Sequence, residues 1–220
     1  MTHPADLIAE LADAVARVAS PDGVVWLTKQ LVFDRATFPA AFSGAGRRLG
    51  RAPIGDADAR RLAEHGLPWS PDSGADECGR AALVLAAVGS LDRAEHLPLV
   101  SDLIRRGEAR ERQAVLRVLA GLPEPERFVD IAIDAFRSNV TSIFEAIACD
   151  NAFPGRHFPD HAFNQLVLKA LFVGAPVARI VDLDRRTTAE LVRMVDGYAS
   201  ELTAAGRPVP EDAKLIRRAR

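Results

Sequence analysis

Lysine, tyrosine, methionine and cysteine are all scarce in this 220-residue chain, with three, one, two and two copies. Two cysteines, Cys78 and Cys149, cannot build the disulfide framework of a small secreted domain and read as thiols of a reducing compartment. No stretch approaches the roughly 18 uninterrupted apolar residues of a membrane helix. The start Met1-Thr2-His3-Pro4, followed by mixed acidic and apolar residues, lacks the pattern of a signal or transit peptide. A cytoplasmic protein without direct membrane insertion is therefore expected. An excess of one charge is missing too: 28 basic residues face 30 acidic ones, for a formal charge of -2. That balance gives no global attraction to nucleic acid or anionic lipid, and a nucleic-acid partner is not expected. The one dense basic stretch, Lys214, Arg217, Arg218 and Arg220, reads as the solvated end of a last helix, where cations suit the dipole. No phosphate loop, dinucleotide fingerprint, zinc-protease helix or calcium loop occurs, so neither a cofactor nor a metal is expected.

What is present is apolar and helical. Hydrophobic residues make up 48% of the chain and charged ones 26%, which excludes a disordered tail protein. All the basic residues except Lys29, Lys169 and Lys214 are arginine, beside 38 alanines, a bias that suggests GC-rich coding rather than phosphate affinity. Leu7, Leu11, Val15 and Val18 recur at helical spacing. So do Phe128, Ile131, Ala132, Ala135 and Phe136, then Val140, Ile143, Phe144 and Ile147. Phe163, Leu166, Val167, Ala170 and Leu171 form a further stripe that stops at Gly174, and Leu191, Met194, Val195, Tyr198 and Leu202 another that stops near Gly206. Val24 to Phe33 mixes alternating and helical patterns, but lacks a partner strand and is assigned to helix.

The loop Gly66 to Gly74 is the best internal boundary, between a less regular helical part at 1–74 and a regular stack at 75–220 within one continuous domain. Helix starts near Ala75, Arg93, Glu108, Glu124, Val140 and Pro159 lie about 15 to 19 residues apart, the repeat size of HEAT- or TPR-like units. The expected fold is all-α, an irregular HEAT/TPR-like helical-repeat solenoid, with a compact bundle as the alternative.

The densest polar information runs from Cys149 to Lys169. Two prolines, a glycine and three phenylalanines restrict this Cys149–Lys169 stretch, whose part from Asp150 to Phe158 is expected to be an ordered, interrupted segment. In the helix that follows, His161, Gln165 and Lys169 share a polar line with Asn164 beside it, facing solvent or a groove. Asp150, Asn151, His157, His161, Asn164, Gln165, Lys169 and Arg179 are the candidate binding residues. A zinc site from Cys149, His157 and His161 lacks a fourth ligand, and a Cys149–His pair lacks a nucleophile elbow. Cys78 and Cys149 both read as buried structural thiols. Arg47-Arg48 with Arg51, and Arg185-Arg186 with Arg179, could hold anions, but Asp56, Asp58, Asp182 and Asp184 stand near enough to pair with them. Trp26 and Trp69 read as packing anchors.

Several of these stretches, taken in order, resemble the EboA-domain family. They are Phe42-Ser43, Arg47-Arg48-Leu49-Gly50, Phe144-Glu145-Ala146-Ile147-Ala148, Asp150-Asn151 and the run Ala162 to Phe172, then Arg179-Ile180, Arg185-Arg186, Arg193-Met194 and Ala204 to Pro210. After Asp150-Asn151 the chain reads Ala152-Phe153-Pro154, where the family pattern has a proline and an aromatic. The resemblance implies bacterial gene clusters that also encode a UbiA-like membrane prenyltransferase, a TatD-like hydrolase and a sugar-phosphate-isomerase-like barrel. Those clusters are associated with secondary-metabolite precursors and their movement toward the periplasm.

The residues and the resemblance together point to a non-catalytic helical protein that binds a metabolite or a partner protein of that pathway through the Cys149–Lys169 segment. The alternative is an enzyme acting on a small phosphorylated or isoprenoid metabolite, with His157 or His161 as acid or base and Arg179 or Lys169 holding an anion.

Overall fold

The computed structural model describes residues 3–218, and among them every regular element is helical, so the all-α expectation holds. The Met1-Thr2 start and Arg220 of the basic tail lie outside the described residues. The chain forms two compact units, Met1–Ala132 and Ile133–Arg220.

The first unit contains α1 (Pro4–Val18), α2 (Pro21–Gln30), α3 (Phe38–Leu49), α4 (Gly55–Glu64), α5 (Ala75–Ser90), α6 (Arg93–Arg106) and α7 (Ala109–Val118). Two short 3-10 turns lead from it into α8 (Val129–Phe136), inside which the unit ends. The ambiguous Val24 to Phe33 stretch falls largely in α2 because its start signals are complete. Ser20 Oγ accepts from Gly23 N–H at 3.2 Å, Pro21 occupies the first turn, and Asp22 meets the positive end of the dipole.

α5 is the buried axis of this unit, with no exposed residue from Ala75 to Val88. Its small residues let neighbours come close; a side chain at Gly79 would run into Leu49 of α3. α1, α3 and α7 all pack on α5. Nearest-neighbour stacking of the solenoid kind therefore does not describe this unit, since two of α5's three main partners come from well upstream. The 66–74 loop lies inside the unit for the same reason. It is fastened to the turn before α4 by Ile54 N–H to Ser73 O at 3.0 Å and Ala75 N–H to Ala52 O at 2.9 Å. Asp76 N–H donates to Gly50 O at 3.1 Å, so two of the donors that the start of α5 leaves unpaired are met by main chain.

The second unit holds α9 (Thr141–Ala148), α10 (Ala152–His157), α11 (Asp160–Val173), α12 (Leu183–Arg186), α13 (Ala189–Ala204) and α14 (Ala213–Arg218). α11 is its centre, packed against α9, α13 and the 3-10 turn Val177–Arg179, and it ends at Gly174 with φ 75°, the left-handed cap its sequence predicts. The segment expected to be interrupted is itself the helix α10. Asn151 Oδ1 accepts from Phe153 N–H at 2.9 Å, and Pro154 falls in the first turn, where a missing donor is harmless. At the other end Arg186 donates to Gly155 O at 2.6 Å and to Phe158 O at 2.8 Å.

Charge enters the buried interior of the first unit at the start of α5. Asp76, 0% exposed, accepts from Arg110 at 2.5 and 2.9 Å and from Arg80 at 2.7 Å. Glu77 accepts from Arg117 at 2.5 Å and from Ser73 Oγ at 3.2 Å. Burial pushes the Asp76 carboxyl up, but the hydrogen bonds and charges of Arg110 and Arg80 outweigh it and hold the group below its usual range. A lowered folded-state value means that this contribution to stability is complete above the unfolded carboxylate value of about 3.9 and is lost as pH falls through the folded value. In urea titrations Asp76→Ala is expected to cost about 3 kcal/mol or more, because it strands the buried Arg80 guanidinium. Asp76→Asn is expected to flatten the loss of stability below about pH 4 relative to the wild type.

Candidate functional site

The candidate residues of the Cys149–Arg179 region fall into two groups. One group holds the backbone together. Asp150 sits in the left-handed region at φ 47°, donates its N–H to Arg179 O at 2.8 Å, and accepts from the Arg179 guanidinium through Nε at 2.9 Å and through Nη2. The hydrogen bonds from Arg179 to Asp150 raise the guanidinium's pKa further. Asn151, 1% exposed, caps α10 and donates Nδ2 to Ala146 O at 2.8 Å. His157 packs its ring against Phe153 at 5.0 Å, and Asn164 is buried in α11 with its amide oxygen unpartnered. His161 is exposed at the start of α11.

Lys169 belongs partly to this first group. Its ammonium donates to Phe136 O at 2.9 Å and to Ser138 O at 2.7 Å, closing the C-terminal end of α8, and lies 5.2 Å from the centre of the Phe144 ring. Burial lowers its pKa. A compact ammonium with three donors can serve two carbonyls at once, which gives one physical reason for a lysine in an arginine-rich chain.

The other group faces open space. Gln165 and Lys169 line a cleft of about 780 Å³ within the second unit, open to solvent between α9, α11 and α13. Its apolar lining comes from Phe144, Leu168, Phe172, Val173 and Met194. Phe172 is 69% exposed and Val173 38%, and Val140, between the cleft residues Asn139 and Thr141, is 47% exposed. Across from them α13 contributes Gly197, Tyr198 and Glu201. The Glu201 carboxylate and the Gln165 amide carry no hydrogen bond or ion pair among the described residues. Asp150, Asn151, His157, His161, Asn164 and Arg179 do not line this cleft.

The α13 wall was not singled out by sequence reasoning. Met194 and Tyr198 fall in an apolar stripe that reads as core, yet only Leu191, Val195 and Leu202 of that stripe are buried. The readable signal is the width of the stripe: the buried residues already supply a packing face, and Met194, Gly197, Tyr198 and Glu201 form a second face beside it.

The other polar clusters of the second unit are structural. Arg186 lies 4.6 Å over the Phe163 ring while it caps α10, and Arg185 pairs with Asp182 at 2.9 Å. In the tail, Lys214 pairs with Glu211 and Arg217 with Asp196. Among the described residues no group of three or more His, Cys, Asp or Glu is placed to hold a metal ion. Both thiols are buried, and desolvation pushes Cys78 well above its usual value, opposite to what a nucleophile needs. No helix among the described residues is long and apolar enough to cross a membrane.

Comparison with known proteins returns one family. The family model described as "Metabolite traffic protein EboA" matches residues 8–216 of the 220. No curated protein and no solved structure matches the chain.

The two roles are separable by stability. Lys169→Met is expected to lower unfolding free energy by about 1–3 kcal/mol, because two carbonyls lose their donor. Gln165→Ala, at an exposed position with no partner, is expected to stay within about 0.5 kcal/mol of wild type in the same denaturation series.

Proposed function

The chain belongs to the EboA family, and on that footing we propose that the α9–α11–α13 cleft holds a small amphipathic metabolite without transforming it, for transfer between proteins of its pathway. One observation carries this reading: two large exposed apolar side chains of the second unit, Phe172 and Val173, lie on a single concave surface that also carries free polar groups. Concave, mostly apolar surfaces with a few placed polar groups are how proteins hold small molecules.

The chemistry of the lining defines the ligand's outline. Phe172, Leu168 and Met194 favour an apolar chain or ring system, while Gln165, Tyr198, Glu201 and the remaining N–H of Lys169 favour a hydroxyl or other hydrogen-bonding end. Covering about 200 Å² of apolar surface yields about 5 kcal/mol at the usual 25 cal/mol per Å². The ligand's lost freedom on binding offsets part of that, so apolar contact alone leaves an affinity weak enough to permit release. The groups an acid–base mechanism would use stand elsewhere: His157 on Phe153, His161 at the start of α11, and Arg179 bound to Asp150.

Farnesol, an apolar chain with one hydroxyl, is a suitable probe. It is expected to raise the thermal midpoint of the wild type, since a ligand that binds only the native state stabilises it. A side chain built at Gly197 meets nothing within 4 Å, so Gly197→Phe should fill the cleft without distorting α13. That variant is expected to stay folded and to lose the farnesol response; an undiminished response would place the binding elsewhere.

A further inference from the structure

The first unit carries a second concavity, a groove of about 500 Å³ between α2 and α3. Trp26 and Gln30 line it from α2, and Gly44, Arg47 and Arg48 from α3, with Thr37 at the start of α3. Many arginines of this protein are already occupied. Arg93, Arg105, Arg110, Arg117, Arg179 and Arg185 each hold a carboxylate. The local sequence predicts the same for Arg47 and Arg48, with Asp56 and Asp58 as partners. The structure sends Asp58 elsewhere, to Arg17 at 2.6 Å and Arg61 at 3.2 Å. Among the described residues Arg47 and Arg48 are left with no ion pair or side-chain hydrogen bond. The Asp34 carboxylate does not compensate them, because it accepts from Ala36 N–H at 3.1 Å and Thr37 Oγ at 3.0 Å.

Position supports the same reading. Both arginines lie in the last turn of α3, where the helix dipole favours cations, so they are stable there without a partner. α2 and α3 approach closely at this end, where a side chain on Gly23 would meet the Arg48 carbonyl. Between the two polar ends of the groove, Gly44 keeps the surface low; a Cβ there meets nothing within 4 Å. Trp26 is half-buried and lines the same space, although its sequence context reads as a packing anchor.

We propose that this groove binds an oxyanion carried on a flat ring, an aryl phosphate or aryl carboxylate, with the anion on Arg47 and Arg48 and the ring beside Trp26. Paired guanidiniums match the oxygens of either headgroup, and an indole offers a face to a planar body. The site is independent of the cleft in the second unit and does not rest on its function.

Isothermal titration calorimetry on the full chain tests it, with 1-naphthyl phosphate, 1-naphthoate, 1-naphthol and inorganic phosphate as probes. The same titrations in the Gly197→Phe chain remove any contribution from the cleft. At least one of the two anionic bicycles is expected to bind about tenfold or more tightly than 1-naphthol and inorganic phosphate, and the tighter of the two identifies the headgroup. Arg47→Ala with Arg48→Ala is expected to weaken that binding about tenfold or more at an unchanged unfolding midpoint. Gly44→Leu, which fills open space, is expected to abolish it. The proposal is overturned if 1-naphthol binds as well as the anions, if the double arginine variant binds as tightly as wild type, or if neither anion gives heat up to about 1 mM.

Discussion

Every helix end leaves up to four main-chain groups without partners, and a chain built from short helices has many ends to satisfy. Among the described residues five of the α-helices are eight residues long or shorter. This constraint governs where the polar side chains go. Asn151 and Arg186 hold the two ends of α10, Lys169 closes α8, Arg112 closes α6 through Gly107 O at 2.6 Å, and the main chain of residues 50–52 meets the start of α5. Without these contacts the short helices would not persist, since isolated segments of this length are unstable in water.

Charge in the interior of the first unit follows a related logic. Asp76 and Glu77 sit at the positive end of α5, and each is met by arginine from later or adjacent turns. Such pairs add little net stability over an apolar core but are costly to break, so they fix which helices meet. Once helix ends and buried charges have taken their partners, few polar groups are left unbonded. Among the groups left unbonded, Gln165 and Glu201 in one unit and Arg47 and Arg48 in the other line concave surfaces. Function is sought where the polar groups are free and not where they are dense.

That distinction explains what could be read from the amino-acid order. Helices with a strong apolar stripe and clear punctuation, such as α11 with its Gly174 stop and α13 with its stop near Gly206, were legible because periodicity and capping are local. α10 was not: Pro154 and Gly155 argue against a helix, and the arginine that rescues it lies thirty residues downstream. The packing of α5 by α1 and α3 was hidden for the same reason, being a long-range choice that repeat spacing does not encode. Of the candidate site, Gln165 and Lys169 were legible as a polar line on one helix, whereas Tyr198 and Glu201 reach the same cleft only through tertiary packing. Asp150, Asn151 and Arg179 stood out for polarity that serves the backbone.

The central claim is that the cleft between α9, α11 and α13 is where a small molecule sits. Backbone amide chemical shifts, followed by NMR as an apolar-chain alcohol is added, test it most directly. The account predicts perturbations confined to residues 138–144, 165–173 and 194–201, the three stretches that line the cleft. Perturbations centred on residues 150–160 and 179, or none at saturating alcohol, would contradict it.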